Sequence, residues 1–200
     1  MIAIVDYGVG NLFSLTSSFN AIGVEVVITS DVETIKKADK LILPGVGAFG
    51  DASKKLTESG LDKIILEEVA KKKPLLGVCL GMQMLFDESH EFGTYKGLGL
   101  IKGKVVYIDL PSEYKIPHIG WNALNFKKQS PILKYINQND YVYFVHSYHA
   151  IDCDEALIAT TDYGKELTAI VQKDNVYGCQ FHPEKSGDVG LKILKAFAEI

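Results

Sequence analysis

The chain has 200 residues, with 21 lysines and arginines against 25 aspartates and glutamates and a formal net charge of −4, a balance that offers no basic field to a nucleic-acid backbone. At 47% hydrophobic and 23% charged residues it carries enough apolar side chain for a sizeable core and lies far from compositions that stay disordered. No run approaches the roughly 18 apolar residues of a membrane span, and the three cysteines (Cys79, Cys153 and Cys179) are an odd number that fits a reducing compartment better than a disulfide framework. The opening Met1-Ile2-Ala3-Ile4-Val5-Asp6 lacks the basic region and long apolar stretch of a signal peptide, so the reading is a cytoplasmic protein folded as one domain over residues 1–200.

Short β-branched runs alternate with amphipathic stretches in the first half, the pattern of parallel strands joined by helical crossovers. Ile2 to Asp6 predicts a buried strand. Residues 11–22 place Leu12, Leu15, Phe19 and Ile22 at helical spacing, with Gly23 as the stop. Glu25 to Ile28 predicts the second strand. Ser30 followed by Glu33 predicts a capping box opening a short helix, and Lys40 to Leu43 a third strand ending at Pro44-Gly45. Leu61 to Lys73 predicts a helix whose basic end suits its C-terminus and which Pro74 prevents from continuing. Beyond Gly97 the texture changes to hairpins, at Lys104 to Asp109, Tyr141 to Ala150, Leu157 to Thr161, and Leu167 to Gln180 turning at Lys173-Asp174-Asn175. The sheet therefore becomes mixed. A closing helix runs from Asp188 to Ile200.

Chemistry concentrates first in Pro74-Leu75-Leu76-Gly77-Val78-Cys79-Leu80-Gly81-Met82-Gln83, an apolar strand, a Gly-x-Cys-x-Gly turn and a helix start. This is a nucleophile elbow with sulfur in place of oxygen. Such a turn reverses too tightly for β-carbons two residues to either side, and the helix N-terminus behind it favours thiolate over thiol. A thiol nucleophile needs a base and a group to orient that base, and Gln180-Phe181-His182-Pro183-Glu184 supplies both if His182 and Glu184 share one face of an extended segment. The third element is Pro44-Gly45-Val46-Gly47-Ala48, whose freed backbone N–H groups complete an oxyanion hole with Leu80 N–H where strand ends converge.

Two weaker signals are set aside. Gly8-Val9-Gly10 follows a strand, but Phe13 stands where a dinucleotide fingerprint needs its third glycine. Cys179 and His182 have no second pair at ligand spacing, so neither a metal nor any other cofactor is expected. His90, His118 and His149 read as solvated or hydrogen-bonded residues, and His146 as a cleft-lining strand residue.

These residues also resemble a known family, the class I (triad-type) glutamine amidotransferases, and within it the branch of glutaminase subunits of imidazole glycerol phosphate synthase in histidine biosynthesis. The matching segments are Asp6-Tyr7-Gly8-Val9-Gly10-Asn11-Leu12, Pro44-Gly45-Val46-Gly47-Ala48-Phe49, Gly77-Val78-Cys79-Leu80-Gly81-Met82-Gln83, Pro117-His118-Ile119-Gly120-Trp121-Asn122, Phe144-Val145-His146-Ser147-Tyr148 and Gln180-Phe181-His182-Pro183-Glu184-Lys185-Ser186. The resemblance implies a flavodoxin-like open mixed sheet with helices on both faces. It also implies hydrolysis of L-glutamine by Cys79 as nucleophile and His182 as base, with Glu184 orienting the base. Gly47 and Leu80 would form the oxyanion hole, and Gln83, Glu91 and the backbone of His146, Ser147 and Tyr148 would hold the substrate. The partner implied is a cyclase subunit in a heterodimer, met around Trp121, Tyr143 and Lys185, which receives the ammonia. A paralogous glutaminase that feeds a surface-sugar amidation enzyme and a non-catalytic module on the same sheet stand as alternatives. The second of these should lack a triad member, and none is missing.

Overall fold

The computed structural model describes residues 1–200. The first half comprises β1 (Ile2–Val5), α1 (Leu12–Ala21), β2 (Val26–Thr29), α2 (Val32–Lys37), β3 (Lys40–Leu43), α3 (Phe49–Glu58), α4 (Leu61–Ala70), β4 (Leu75–Val78) and α5 (Leu80–Gln83). Short strands follow: β5 (Glu88–Ser89), β6 (Tyr95–Lys96), β7 (Lys104–Tyr107), β8 (His118–Ala123) and β9 (Asn125–Phe126). The chain closes with β10 (Tyr141–His146), β11 (Tyr148–Ile151), β12 (Leu157–Asp162), β13 (Glu166–Lys173), β14 (Val176–Cys179) and α6 (Gly187–Glu199).

The main sheet has the order β2-β1-β3-β4-β14-β13-β12-β9. Its β2-β1-β3-β4-β14 part is parallel, while β13, β12 and β9 join antiparallel. The mixed α/β sheet predicted from the sequence is thus present, in the doubly wound order whose parallel strands open onto one crevice at their C-terminal ends. Side chains alternate across each strand and so divide between two cores. Ala3, Val5, Leu41 and Leu43 pack with Phe49, Leu56 and Ile65 of α3 and α4, whereas Ile2, Ile4, Ile42 and Leu76 pack with Leu15 and Phe19 of α1 and Leu194 and Phe197 of α6. Helices therefore cover both faces, and burial of both faces is why these strands read as continuous apolar runs.

Several expectations shift. The cap of α2 is Asp31, whose carboxylate accepts the Thr34 N–H at 2.8 Å, so the predicted Ser30–Glu33 box is displaced by one residue. The helix expected to reach Lys73 ends at Ala70, and Lys72 has φ +71. Helix α3 and the strands β5, β6, β8 and β9 lie outside the predicted elements. The run Tyr141 to Ala150, read among the hairpins, forms two strands that do not pair with each other, because β10 pairs with β8 while β11 pairs with β7 in a separate sheet.

Candidate active site

Cys79 follows β4 directly and precedes α5, with φ +55 and ψ −112, a backbone conformation that L-residues rarely adopt and that the surroundings must hold in place. The two glycines flanking it explain how. A β-carbon on Gly81 would lie 1.8 Å from the Leu43 carbonyl oxygen at the end of β3, and one on Gly77 would lie 2.6 Å from the Gly81 oxygen. Gly45 in the neighbouring loop would meet the Gly81 nitrogen at 2.7 Å. Glycine is thus what lets the β3 loop and the elbow touch backbone to backbone. Leu80 opens α5, so its N–H has no acceptor one turn earlier in the helix and is available beside the sulfur.

Strand β14 lies beside β4 in parallel register, with Cys179 opposite Val78 and the Cys79 N–H donating to the Cys179 carbonyl at 2.8 Å. The chain that leaves β14 therefore delivers His182 to the elbow. His182 Nδ1 donates to Glu184 Oε1 at 2.8 Å, and both side chains are buried. The segment is not extended throughout as the sequence suggested: Pro183–Lys185 forms a 3₁₀ turn, and it is this turn that brings the carboxylate back under the ring. Burial pulls the His182 imidazole down, but the Cys79 sulfur and the Glu184 carboxylate outweigh it and push it up to about 10. The nearby Cys179 thiol is sealed from solvent and held well above the ordinary thiol range by burial, then by Glu184 and Cys79. Only one of the two neighbouring sulfurs thus faces the cavity.

That cavity, about 450 Å³, is lined by Cys79, His182, Gly47, Leu80, Gln83, Glu91, His146, Ser147 and Tyr148, and by Lys185 at its edge. Its size suits a small molecule. Gly47 has φ +90, with open space where a β-carbon would stand. Gln83 is buried, and its amide nitrogen donates to the Tyr148 carbonyl at 3.1 Å and to Gln180 Oε1 at 3.0 Å. Glu91 Oε2 accepts the Phe49 N–H at the start of α3 at 2.7 Å, and burial raises its carboxyl above the usual range. Trp121 and Tyr143, paired across the β8–β10 ribbon with ring centroids 5.9 Å apart, do not line the cavity. The ribbon is tied to the base: His182 N–H donates to the Tyr143 carbonyl at 3.0 Å, and Tyr143 N–H to Ser186 Oγ at 2.9 Å.

A family model described as "Glutamine amidotransferase class-I" matches residues 3–199. The chain belongs to the class I glutamine amidotransferase family. Among its curated relatives are the "Imidazole glycerol phosphate synthase subunit HisH" of Lactococcus lactis, 53% identical over 99% of this chain and 98% of that one, and the protein of the same name from Caldanaerobacter subterraneus, 52% identical over 100% and 98%. A structure described as "PurLQS from Thermotoga maritima" superposes with a TM-score of 0.76 at 20% identity, covering 99% of this chain and 97% of that one, which supports the fold. Within its family this amidotransferase is a glutaminase subunit of the imidazole glycerol phosphate synthase type.

The amidotransferase site also holds residues to which the sequence reading gave no role. Tyr7 donates its hydroxyl to the Pro44 carbonyl at 2.7 Å and so anchors the glycine loop. Asn11 donates to Glu184 Oε1 at 3.4 Å from the loop after β1. Both belong to the Asp6–Leu12 segment, which matches the family and whose glycines do not complete a dinucleotide fingerprint, but to neither residue does the sequence assign a role. Among the other histidines, His90 is exposed beside Glu88, and His118 is buried and bonded to Asn122 and His146. His149 departs from expectation: it is buried on β11 with neither ring nitrogen partnered.

Proposed function

We propose that this single glutamine amidotransferase domain, residues 1–200, releases ammonia from L-glutamine through Cys79, His182 and Glu184 and passes it to a separate cyclase subunit. The observation that carries the reading is a cysteine held at φ +55 on a helix start, sharing a cavity with an imidazole whose other nitrogen is bonded to a buried carboxylate.

His182 takes the thiol proton, and the sulfur attacks the side-chain carboxamide carbon. Negative charge develops on the carboxamide oxygen, where the N–H groups of Gly47 and Leu80 supply donors. His182 then returns the proton to the departing nitrogen, leaving a glutamyl thioester on Cys79 and free ammonia. Water, deprotonated by the same imidazole, attacks the thioester and releases glutamate and the thiol. Glu184 keeps His182 in the tautomer whose Nε2 faces the sulfur.

Substrate contacts follow from what each side chain has left to offer. Both N–H groups of the Gln83 amide are engaged inside the protein, so its carbonyl oxygen faces the ligand. Glu91, a carboxylate in the cavity wall with burial working against its charge, suits the α-ammonium of an amino acid. The backbone of His146, Ser147 and Tyr148 completes the wall.

Ammonia is useful only as the neutral base and must travel under cover. Trp121 is exposed and packs on Tyr143, whose carbonyl holds the His182 N–H, and Lys185 lines the cavity, which suits docking of the cyclase subunit in a heterodimer around these three residues. The relatives carry a subunit name, and the acidic balance of this chain favours neither nucleic acid nor an anionic membrane surface as partner. Three free buried cysteines fit a cytoplasmic setting. Glutamate release is measured with the chain alone, then with the cyclase and its phosphoribosyl-formimino aminoimidazole carboxamide ribonucleotide substrate. Stimulation by the pair is the expected outcome, and no stimulation removes the partner assignment.

A further inference from the structure

Gln180 lies immediately after β14 and is fully buried, yet it carries a polar amide for which the triad has no use. Its Oε1 accepts from Gln83 Nε2 at 3.0 Å, and its Nε2 lies 3.9 Å from Cys79 Sγ. Which end of each amide points where is decided by one fixed group. The Tyr148 carbonyl can only accept, and Gln83 must therefore turn its nitrogen towards it. The second hydrogen on that nitrogen points at Gln180, which must then offer oxygen in return. Only the Gln180 NH₂ remains for the sulfur. A backbone carbonyl on β11 thus sets, through two side-chain amides, the sign of the group that faces the nucleophile.

We infer that Gln180 is a positioning residue for this chemistry: its side-chain N–H donates to Cys79 Sγ, holding the sulfur towards the cavity and favouring the thiolate. The inference rests on the proposed role of Cys79 as nucleophile. A donor in that place interacts with a sulfur anion more strongly than with a neutral thiol, and its removal is the change the test below reads. No general base is gained: an amide neither takes nor gives a proton here. The same network explains why Gln83 can present its carbonyl to substrate, since its two hydrogens are spent on Tyr148 and Gln180.

The test is the rate of Cys79 alkylation by iodoacetamide against pH, read by site-resolved mass spectrometry on the full chain so that Cys153 and Cys179 do not contribute. In Gln180→Met, which keeps the volume and removes the donor, the midpoint of that profile should move up by about one pH unit, with roughly tenfold slower alkylation below it. Glutaminase activity should fall at neutral pH and recover as pH rises; a mere packing defect would depress activity at every pH. Gln83→Met, which frees the Gln180 amide to turn, provides the same readout should Gln180→Met not fold, and should move the midpoint in the same direction. A folded variant with an unmoved midpoint overturns the inference. Alkylation reports on the sulfur whether or not glutamine is hydrolysed, whereas the nucleophile assignment itself fails only if Cys79→Ala still releases glutamate.

Discussion

His182 Nδ1 donates to Glu184 Oε1 at 2.8 Å while Glu184 Oε2, equally buried, has no partner. Both contacts of the carboxylate fall on Oε1, the close one from His182 and a longer one of 3.4 Å from Asn11, so the imidazole is its nearest donor. Replacing Glu184 by Gln keeps the shape but removes its charge and allows the amide to present a donor to the ring. The expected result is a fall in kcat for glutamine of about 10²- to 10⁴-fold, the range typical of losing an oriented base, with KM little affected. Steady-state kinetics on the folded variant check this.

The elbow glycines make a sharper structural prediction. Gly81→Ala puts a methyl group 1.8 Å from the Leu43 carbonyl oxygen, backbone against backbone, so β3 and α5 must separate. We expect a loss of about 3 kcal/mol or more in urea unfolding. Gly8→Ala, at φ +81 with nothing within 4 Å, tests the opposite case and should cost about 1 kcal/mol, the strain of the left-handed backbone alone. Equal costs at the two positions would contradict the close-contact explanation.

Stability should peak near neutral pH, with different histidines setting each side. Burial, with Lys165 nearby, holds His149 down to about 4, from 6.5 in the unfolded chain. Between those values the unfolded chain binds the extra proton, so stability rises with pH and is lost as pH falls through this window. His146, held down to about 3 chiefly by burial, acts in the same direction. His182 acts oppositely: burial opposes its charge, but Cys79 and Glu184 raise it to about 10, so between 6.5 and about 10 the folded chain holds the proton and stability falls as pH rises. Urea midpoints against pH should show both slopes. His149→Phe should reduce the acid slope alone, leaving the part due to His146, and Glu184→Gln should reduce the alkaline slope, leaving the part due to Cys79.

How far the sequence alone leads depends on whether a signal is local. Cys79 was legible because glycines two residues to either side leave few other reasons for such a turn, and His182 with Glu184 because a histidine and an acid flank a proline at the end of an apolar strand. The parallel half of the sheet was legible for the same reason, each strand being a short apolar run. Helix α3 was not, since it buries only Phe49, Ala52 and Leu56 and otherwise shows charge and small residues. The shift of the α2 cap from Ser30 to Asp31 separates two adjacent residues that are both good caps, which composition cannot rank. The split of Tyr141–Ala150 at Ser147 depends on which partner strand each half finds, and the direction of the Gln180 amide on a carbonyl brought from Tyr148.

Loss of the nucleophile should separate the two half-reactions. Cys79→Ala should lower glutamine-dependent synthesis by the complex by at least ~10³-fold while sparing synthesis from added ammonium salts, because the acceptor chemistry lies on the other subunit. Assaying both nitrogen sources on the same preparation decides it, and loss of both activities would assign Cys79 a structural role.

The most direct measurement is to quench the enzyme with acid during glutamine turnover and locate the covalent intermediate by mass spectrometry. The account predicts a glutamyl group on Cys79 and on neither Cys153 nor Cys179. A glutamyl adduct on another residue, with Cys79 unmodified throughout turnover, would contradict it.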